Sequence, residues 1–255
     1  KSKKHSGYNM ASKIIVDQIE KTGGSLTALT LPTSNASASE FLQNDGAGAL
    51  SWASASAGFN SVQVFTASGT WTKPTDITKV IVEVQGAGGS GTRHTTGQYV
   101  CSGAGGGYGK KFLDVTNIDT VTVVIGAGGA SQTSATSAGN AGGLSSFIKA
   151  TGSGSFTDII GNGGAGGVIT GHGTSAAGGT GTGGDINIQG GRGYIWGGEG
   201  SNTGGSFLGV AGISGSYDTG TTLDGLGYGA GGGAAYTTAA SGAGAPGIII
   251  VWEYK

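Results

Sequence analysis

Histidine, cysteine and carboxylate side chains could give this chain covalent or metal chemistry, but they are few and far apart. Beyond the first nine residues the histidines are His94 and His172. Neither stands in an H-E-x-x-H or His-x-His pattern, the spacings that bring two imidazoles to one metal ion. Cys101 is alone, which excludes a disulfide framework and a cysteine zinc site, and no helix N-terminus precedes it to activate the thiol. Asp114, Asp119, Asp158, Asp185, Asp218 and Asp224 are dispersed singly. Glycoside hydrolysis needs two carboxyls flanking one bond, and distance in sequence neither supplies nor forbids that pair. A G-x-S-x-G elbow does not occur. GAGGSG at 86–91 matches G-x-G-x-x-G through Gly86, Gly88 and Gly91. A dinucleotide site requires a helix next and an acid about 20 residues on; TRHTTGQYVCS follows instead, without helical period. These residues predict no catalytic centre, metal or cofactor.

The elements that would position any site are dominated by glycine, 58 of 255 residues, 50 of them between Gly86 and Gly244. Glycine buries no side chain and loses the most backbone entropy on folding. Such a block is either disordered or built from backbones that approach too closely for a Cβ. Charged residues are 11% of the chain and prolines number three, whereas disordered segments are rich in one or the other. Net charge is −1, and Arg93, Lys110, Lys111, Lys149 and Arg192 make no basic stripe, which argues against nucleic acid as a partner. No signal-peptide hydrophobic region and no run of about 18 apolar residues occurs, so membrane insertion is not expected. Residues 1–9 read as a leader before Met10 and are set aside.

Residues 10–24 form an anchor or oligomer segment in which Ile14, Ile15 and Ile19 suit either a three-turn helix or a strand. Residues 25–61 read as an extended stalk, with a turn at NDGAG (44–48). From 62 to 255 the pattern is that of a head. Strands are expected at 62–67, 69–74, 78–85, 108–115, 120–126, 145–150, 155–160, 185–189 and 247–254, which predicts an antiparallel sandwich. Between them the glycine runs suit polyproline II segments, three residues per turn, bundled by backbone hydrogen bonds. The fold class is therefore all-β, a sandwich joined to a glycine-rich polyproline II-like bundle.

Large rings do not fit inside glycine contacts. Tyr99, Tyr194, Trp196, Phe207, Tyr217, Tyr228 and Tyr236 interrupt the block and must project from it or cap it. With Arg93, His94 and His172 they mark candidate contact loops at 92–102, 168–177, 194–196, 206–224 and 234–241. Aromatic and hydroxyl-rich loops on a rigid scaffold are a common way to build a binding surface.

The order FTASGTWTKPTDITKVIVEVQGAGGSG, GAGGGYGKKFLDV, TVTVVIGAGGA, GNAGGLSSF and GAGAPGIIIVWEY resembles the glycine-rich domain of bacteriophage tail fibres over 62–254. MASKIIVDQIEKTGG and LTLPTSNASASEFLQNDGAGALSWA are similar to N-terminal and shaft segments of fibres from marine and cyanobacterial phages. The glycine block also resembles, in architecture, the tip adhesins of T-even phages. The resemblance implies a virion protein that attaches to a host receptor without chemistry. It further implies a homotrimer with Ile14, Ile15 and Ile19 at the oligomer or attachment contact. Implied partners are phage tail or capsid proteins at the N-terminus and a host glycan or outer-membrane protein at the head loops. Other classes left open are a particle decoration without receptor role, a polysaccharide depolymerase and an ice-binding protein.

Overall fold

The computed structural model describes residues 18–19, 29–38, 40–54, 58–95, 100–169, 175–196, 204–212, 224–236 and 239–255. All regular structure among them is β. The chain divides into two compact units, Lys1–Ala57 and Gly58–Lys255.

In the first unit Gln18–Ile19 pairs with Leu29–Thr30. The described part of the anchor segment is thus strand, and Ile14 and Ile15 lie outside the described residues. A hairpin joins Glu40–Asn44 to Leu50–Ser54. Its turn is held by the Asp45 carboxylate, which accepts the Ala47 and Ala49 N–H groups, while Gly46 and Gly48 take the positive φ that a side chain resists. An open cleft of about 410 Å3 lies between the 32–37 loop and the hairpin, with Trp52 and Glu40 among its walls.

The second unit is a two-sheet sandwich continued by the glycine block. Its strands are β1 (Phe59–Phe65), β2 (Gly69–Thr72), β3 (Lys79–Gln85), β4 (Tyr108–Asp114), β5 (Thr120–Val124), β6 (Ser145–Thr151), β7 (Ile159–Gly161), β8 (Gly181–Thr182), β9 (Ile186–Ile188) and β10 (Ile248–Tyr254). One sheet runs β9-β4-β3-β10-β1 and the other β8-β7-β6-β5-β2, antiparallel throughout. Alternation along each strand decides which side is buried. Val80, Val82 and Val84 of β3, Ile249 and Val251 of β10, and Val121 and Val123 of β5 face inward and are buried with Trp71 and Phe147. Glu253 has the same parity and is also buried. Its carboxylate accepts hydrogen bonds from Trp71 Nε1 (2.7 Å), Gln63 Nε2 (2.7 Å) and Ser61 Oγ (2.5 Å), so the charge is satisfied and ties one sheet to the other.

The strand expected at 62–67 runs instead over Phe59–Phe65, and of the one expected at 155–160 only the end is strand, at Ile159–Gly161. The Gly154 N–H donates to the Asn117 carbonyl, and pairing with β6 begins only at Ile159.

Beyond the strands the chain forms hydrogen-bonded glycine segments, and their pattern repeats every three residues. Along residues 86–92 the N–H groups of Gly86, Gly89 and Thr92 donate to the carbonyls of Gly107, Ala104 and Cys101. Those of Ala87 and Ser90 donate to Gly143 and Asn140, and those of Gly88 and Gly91 to Ala245 and Gly242. The carbonyls turn to further neighbours. Ala87 and Ser90 accept from Gly164 and Gly167, Gly89 and Thr92 from Gly232 and Ala235, and Gly88 from Gly129. Residues 102–107 repeat the cycle with Tyr194 and Gly191, Gly232 and Gly229, and Ala165 and Asn162 as acceptors. Three residues per turn is the polyproline II repeat, so each segment is a three-faced rod bonded to neighbours on all sides.

Side chains follow the same period. In GNGGAGGV they fall at Asn162, Ala165 and Val168, and the intervening positions are glycine. A Cβ on Gly163 would lie 1.9 Å from the Gly142 carbonyl oxygen. Close approach is why the block is glycine. Each N–H of residues 86–92 and 102–107 finds an acceptor inside the bundle, which offsets the large cost of burying bare backbone.

Candidate functional site

Strand direction gives the second unit two poles. Gln85, Tyr108, Ser145, Gly161 and Ile248 are the strand ends that meet the bundle. Hydrogen bonds then count outward from them: Gly86 to Gly107 at the sheet end, Thr92 to Cys101 at the far end, with 143 to 140, 245 to 242 and 162 to 165 running the same way. The far end is therefore where residues 93, 100, 139, 168, 176, 194 and 235 arrive.

Short pairings tie that end together. Arg93–His94 runs parallel to Ala235–Tyr236, with His94 opposite Tyr236. Val100–Cys101 pairs with Trp196 and Ile195, and Ser175–Ala176 with Tyr194 and Gly193. Arg93 also exchanges backbone hydrogen bonds with Ser137, 3.0 Å and 2.8 Å. Arg93, His94, Tyr194, Trp196 and Tyr236 are thus positioned at one pole by the rods beneath them. Arg93, His94 and Tyr236 are half-buried, and Tyr194 is exposed. Tyr99, His172 and Tyr217 lie outside the described residues.

Two expected contact residues lie elsewhere. The ring of Phe207 packs on Tyr108 with centroids 4.2 Å apart, beside the junction of bundle and sheet. Tyr228 is hydrogen-bonded to Leu208 in the same region and is likewise not at the far pole. Their loop is anchored low because Gly229 and Gly106 are neighbours at the sheet end. Conversely, the run SQTSATSA at 131–138, absent from the five candidate loops, reaches the far pole. Ser137 bridges Arg93, and the Gln132 N–H donates to Ser241 Oγ at 2.8 Å. Its signal was present in sequence: hydroxyl residues bounded on both sides by glycine segments.

Of the side chains with reactive potential, Cys101, Asp114, Asp185 and Asp224 are engaged structurally. Burial pushes the Cys101 thiol above its ordinary value, and the residue packs with Ala104 and Ala176 inside the bundle. Asp114 pairs with Lys79, Asp185 with Lys111, and the Asp224 carboxylate accepts the Ala243 N–H. Among the described residues no group of three or more His, Cys, Asp or Glu could hold a metal, and no helix is long and apolar enough to cross a membrane. The arrangement brings arginine, histidine, aromatic and hydroxyl residues together at the far end of the bundle.

An antiparallel β-sandwich whose strands feed a three-residue-period glycine bundle defines an all-β glycine-rich scaffold. The glycine-rich domain family model matches residues 60–254, and the chain belongs to that family. No curated protein matches it.

Proposed function

We propose that this chain is a fibre or adhesin protein of a bacteriophage particle, binding a host surface receptor without covalent chemistry. The observation that carries the reading is polarity. Gly58, where the first unit joins the second, lies at the outer ends of β1 and β10: Phe59 and Lys79 both pair with Tyr254, and the Lys255 N–H donates to Gly58 O at 3.1 Å. The chain enters at one pole and its Arg/His/aromatic loops leave from the other, as attachment at one end and recognition at the other require.

In this reading the N-terminal segment with Ile14, Ile15 and Ile19 joins the chain to tail or capsid proteins and helps hold a homotrimer. The far-pole loops contact a host glycan or outer-membrane protein. Tyr and Trp give such contacts flat area at low entropic cost.

The test is adsorption. Tyr194→Ala with Trp196→Ala is expected to lower phage adsorption at least tenfold, in line with losing two interface aromatics, while particle assembly is unchanged. Unchanged adsorption removes that pair from the site. Adsorption unaffected by purified full-length protein added as competitor sinks the receptor reading itself.

A further inference from the structure

The larger sheet of the sandwich has a second face, opposite the core, and its side chains are unusually apolar for a surface. Phe59 is 59% exposed, Val62 42%, Val64 55%, Phe112 56% and Ile186 53%. Register places them together. Val62 and Val64 stand opposite Trp252 and Ile250, Phe112 opposite Ile81, and Ile186 opposite Lys110, so the patch crosses all five strands. Phe59 meets the Trp252 and Tyr254 rings at centroid distances of 6.3 Å and 6.0 Å and closes one edge.

The charges on this face are already matched within the chain. Lys110 Nζ lies 3.4 Å from Glu83, whose carboxylate also accepts from Tyr108 OH (2.8 Å) and Trp252 Nε1 (3.1 Å). Lys79 pairs with Asp114. A surface that carries equal numbers of both signs, each paired in place, can be covered by an identical surface without leaving a charge unpaired. An oppositely charged partner would gain nothing from it.

Size agrees. Strands spaced about 4.8 Å apart and rising about 3.4 Å per residue give a face of roughly 500 Å2, or about 1,000 Å2 over two copies. That is the scale at which specific interfaces begin, and about the upper size of patch that single-chain proteins leave bare. We propose that the outer face of β9-β4-β3-β10-β1 is where copies of this chain associate. The proposal rests on the self-association in the reading above, and neither on its three-fold count nor on its receptor.

Light scattering on the full chain tests it, against the single-chain mass of 24.6 kDa. Wild type is expected at a multiple of that mass. Ile14→Ser, Ile15→Ser and Ile19→Ser together should leave it associated. Adding Val64→Asp and Phe112→Asp to those three should reduce it to a single chain. Val64 and Phe112 are exposed, so circular dichroism should stay unchanged; if it does not, Val64→Thr with Phe112→Ser is judged by the same masses. Three results overturn the proposal: wild type at 24.6 kDa, dissociation by the isoleucine changes alone, or continued association with all five changes. Competition for adsorption, run on the same proteins, keeps the two readings apart. A dissociated chain that still competes leaves receptor binding standing, and an associated chain that does not compete leaves the interface standing.

Discussion

At Gly88 a Cβ would stand 1.9 Å from the carbonyl oxygen of Ala230, and the atoms in its way are backbone held by their own hydrogen bonds. Neither side can yield without breaking the three-residue cycle. Gly88→Ala is therefore expected to cost about 3 kcal/mol or more in urea unfolding, at or beyond the upper end of overpacking penalties. Gly69 in β2 is the control, since a Cβ there meets nothing within 4 Å. Gly69→Ala should change stability by less than about 1 kcal/mol, towards stabilisation, because alanine loses less entropy on folding. Equal effects of the two substitutions would refute close packing as the reason for glycine. Tyr108 offers a second check. Burial, and then its hydrogen bond to Glu83, raise its pKa well above the ordinary tyrosine value. The folded chain so favours the protonated phenol, and the stability this confers is complete below about pH 10 and lost as pH rises further. Phenolate absorbance should show one tyrosine ionising only as the chain unfolds. Tyr108→Phe should cost about 1 kcal/mol at neutral pH and flatten the alkaline fall; a fall as steep as wild type would exclude Tyr108 as its source.

Among the elements, residues 86–92 test whether the rods are rigid. Each N–H from Gly86 to Thr92 has an acceptor inside the bundle, although none belongs to a strand. Their amides are expected to exchange with deuterium as slowly as those of β3, and exchange at loop rates would mean that the three-residue lattice opens independently of the sandwich. Much of the sandwich is legible in the sequence because its signal is local. Val80, Val82 and Val84 alternate with Ile81 and Glu83, and β3, β4, β5 and β10 begin and end within about two residues of the pattern. The lattice is less legible. Glycine runs announce close approach, but which rod lies beside which depends on partners up to about 150 residues away, and no side-chain pattern carries that pairing. The same gap explains the site. Tyr194 and Trp196 reach the far pole because Gly191 is hydrogen-bonded to Gly105; Phe207 does not, because its segment meets the base of the bundle.

For the whole molecule the two poles make a prediction that no single residue makes. An epitope inserted beside His172, between the far-pole residues Val168 and Ser175, should allow an antibody to block adsorption. The same epitope placed before Gly58 should bind the antibody and leave adsorption intact. Blocking from Gly58 alone would reverse the polarity.

Among the described residues, the two rods on either side of 93–100 end side by side at the far pole, where the Thr92 N–H donates to the Cys101 carbonyl. Arg93–His94 and Val100–Cys101 are held by Ala235–Tyr236 and Trp196, whatever lies between 95 and 100. Lengthening a flexible connection costs little, about 0.6 kcal/mol for each doubling. Change is thereby expected to fall unevenly across the second unit: glycines whose Cβ would meet backbone, such as Gly88 and Gly163, resist substitution, while length changes between the far-pole pairings leave the paired ends in place. In the receptor-binding reading proposed above, what the far pole touches can then change through the length of these spans, without altering the hydrogen bonds of the rods beneath them.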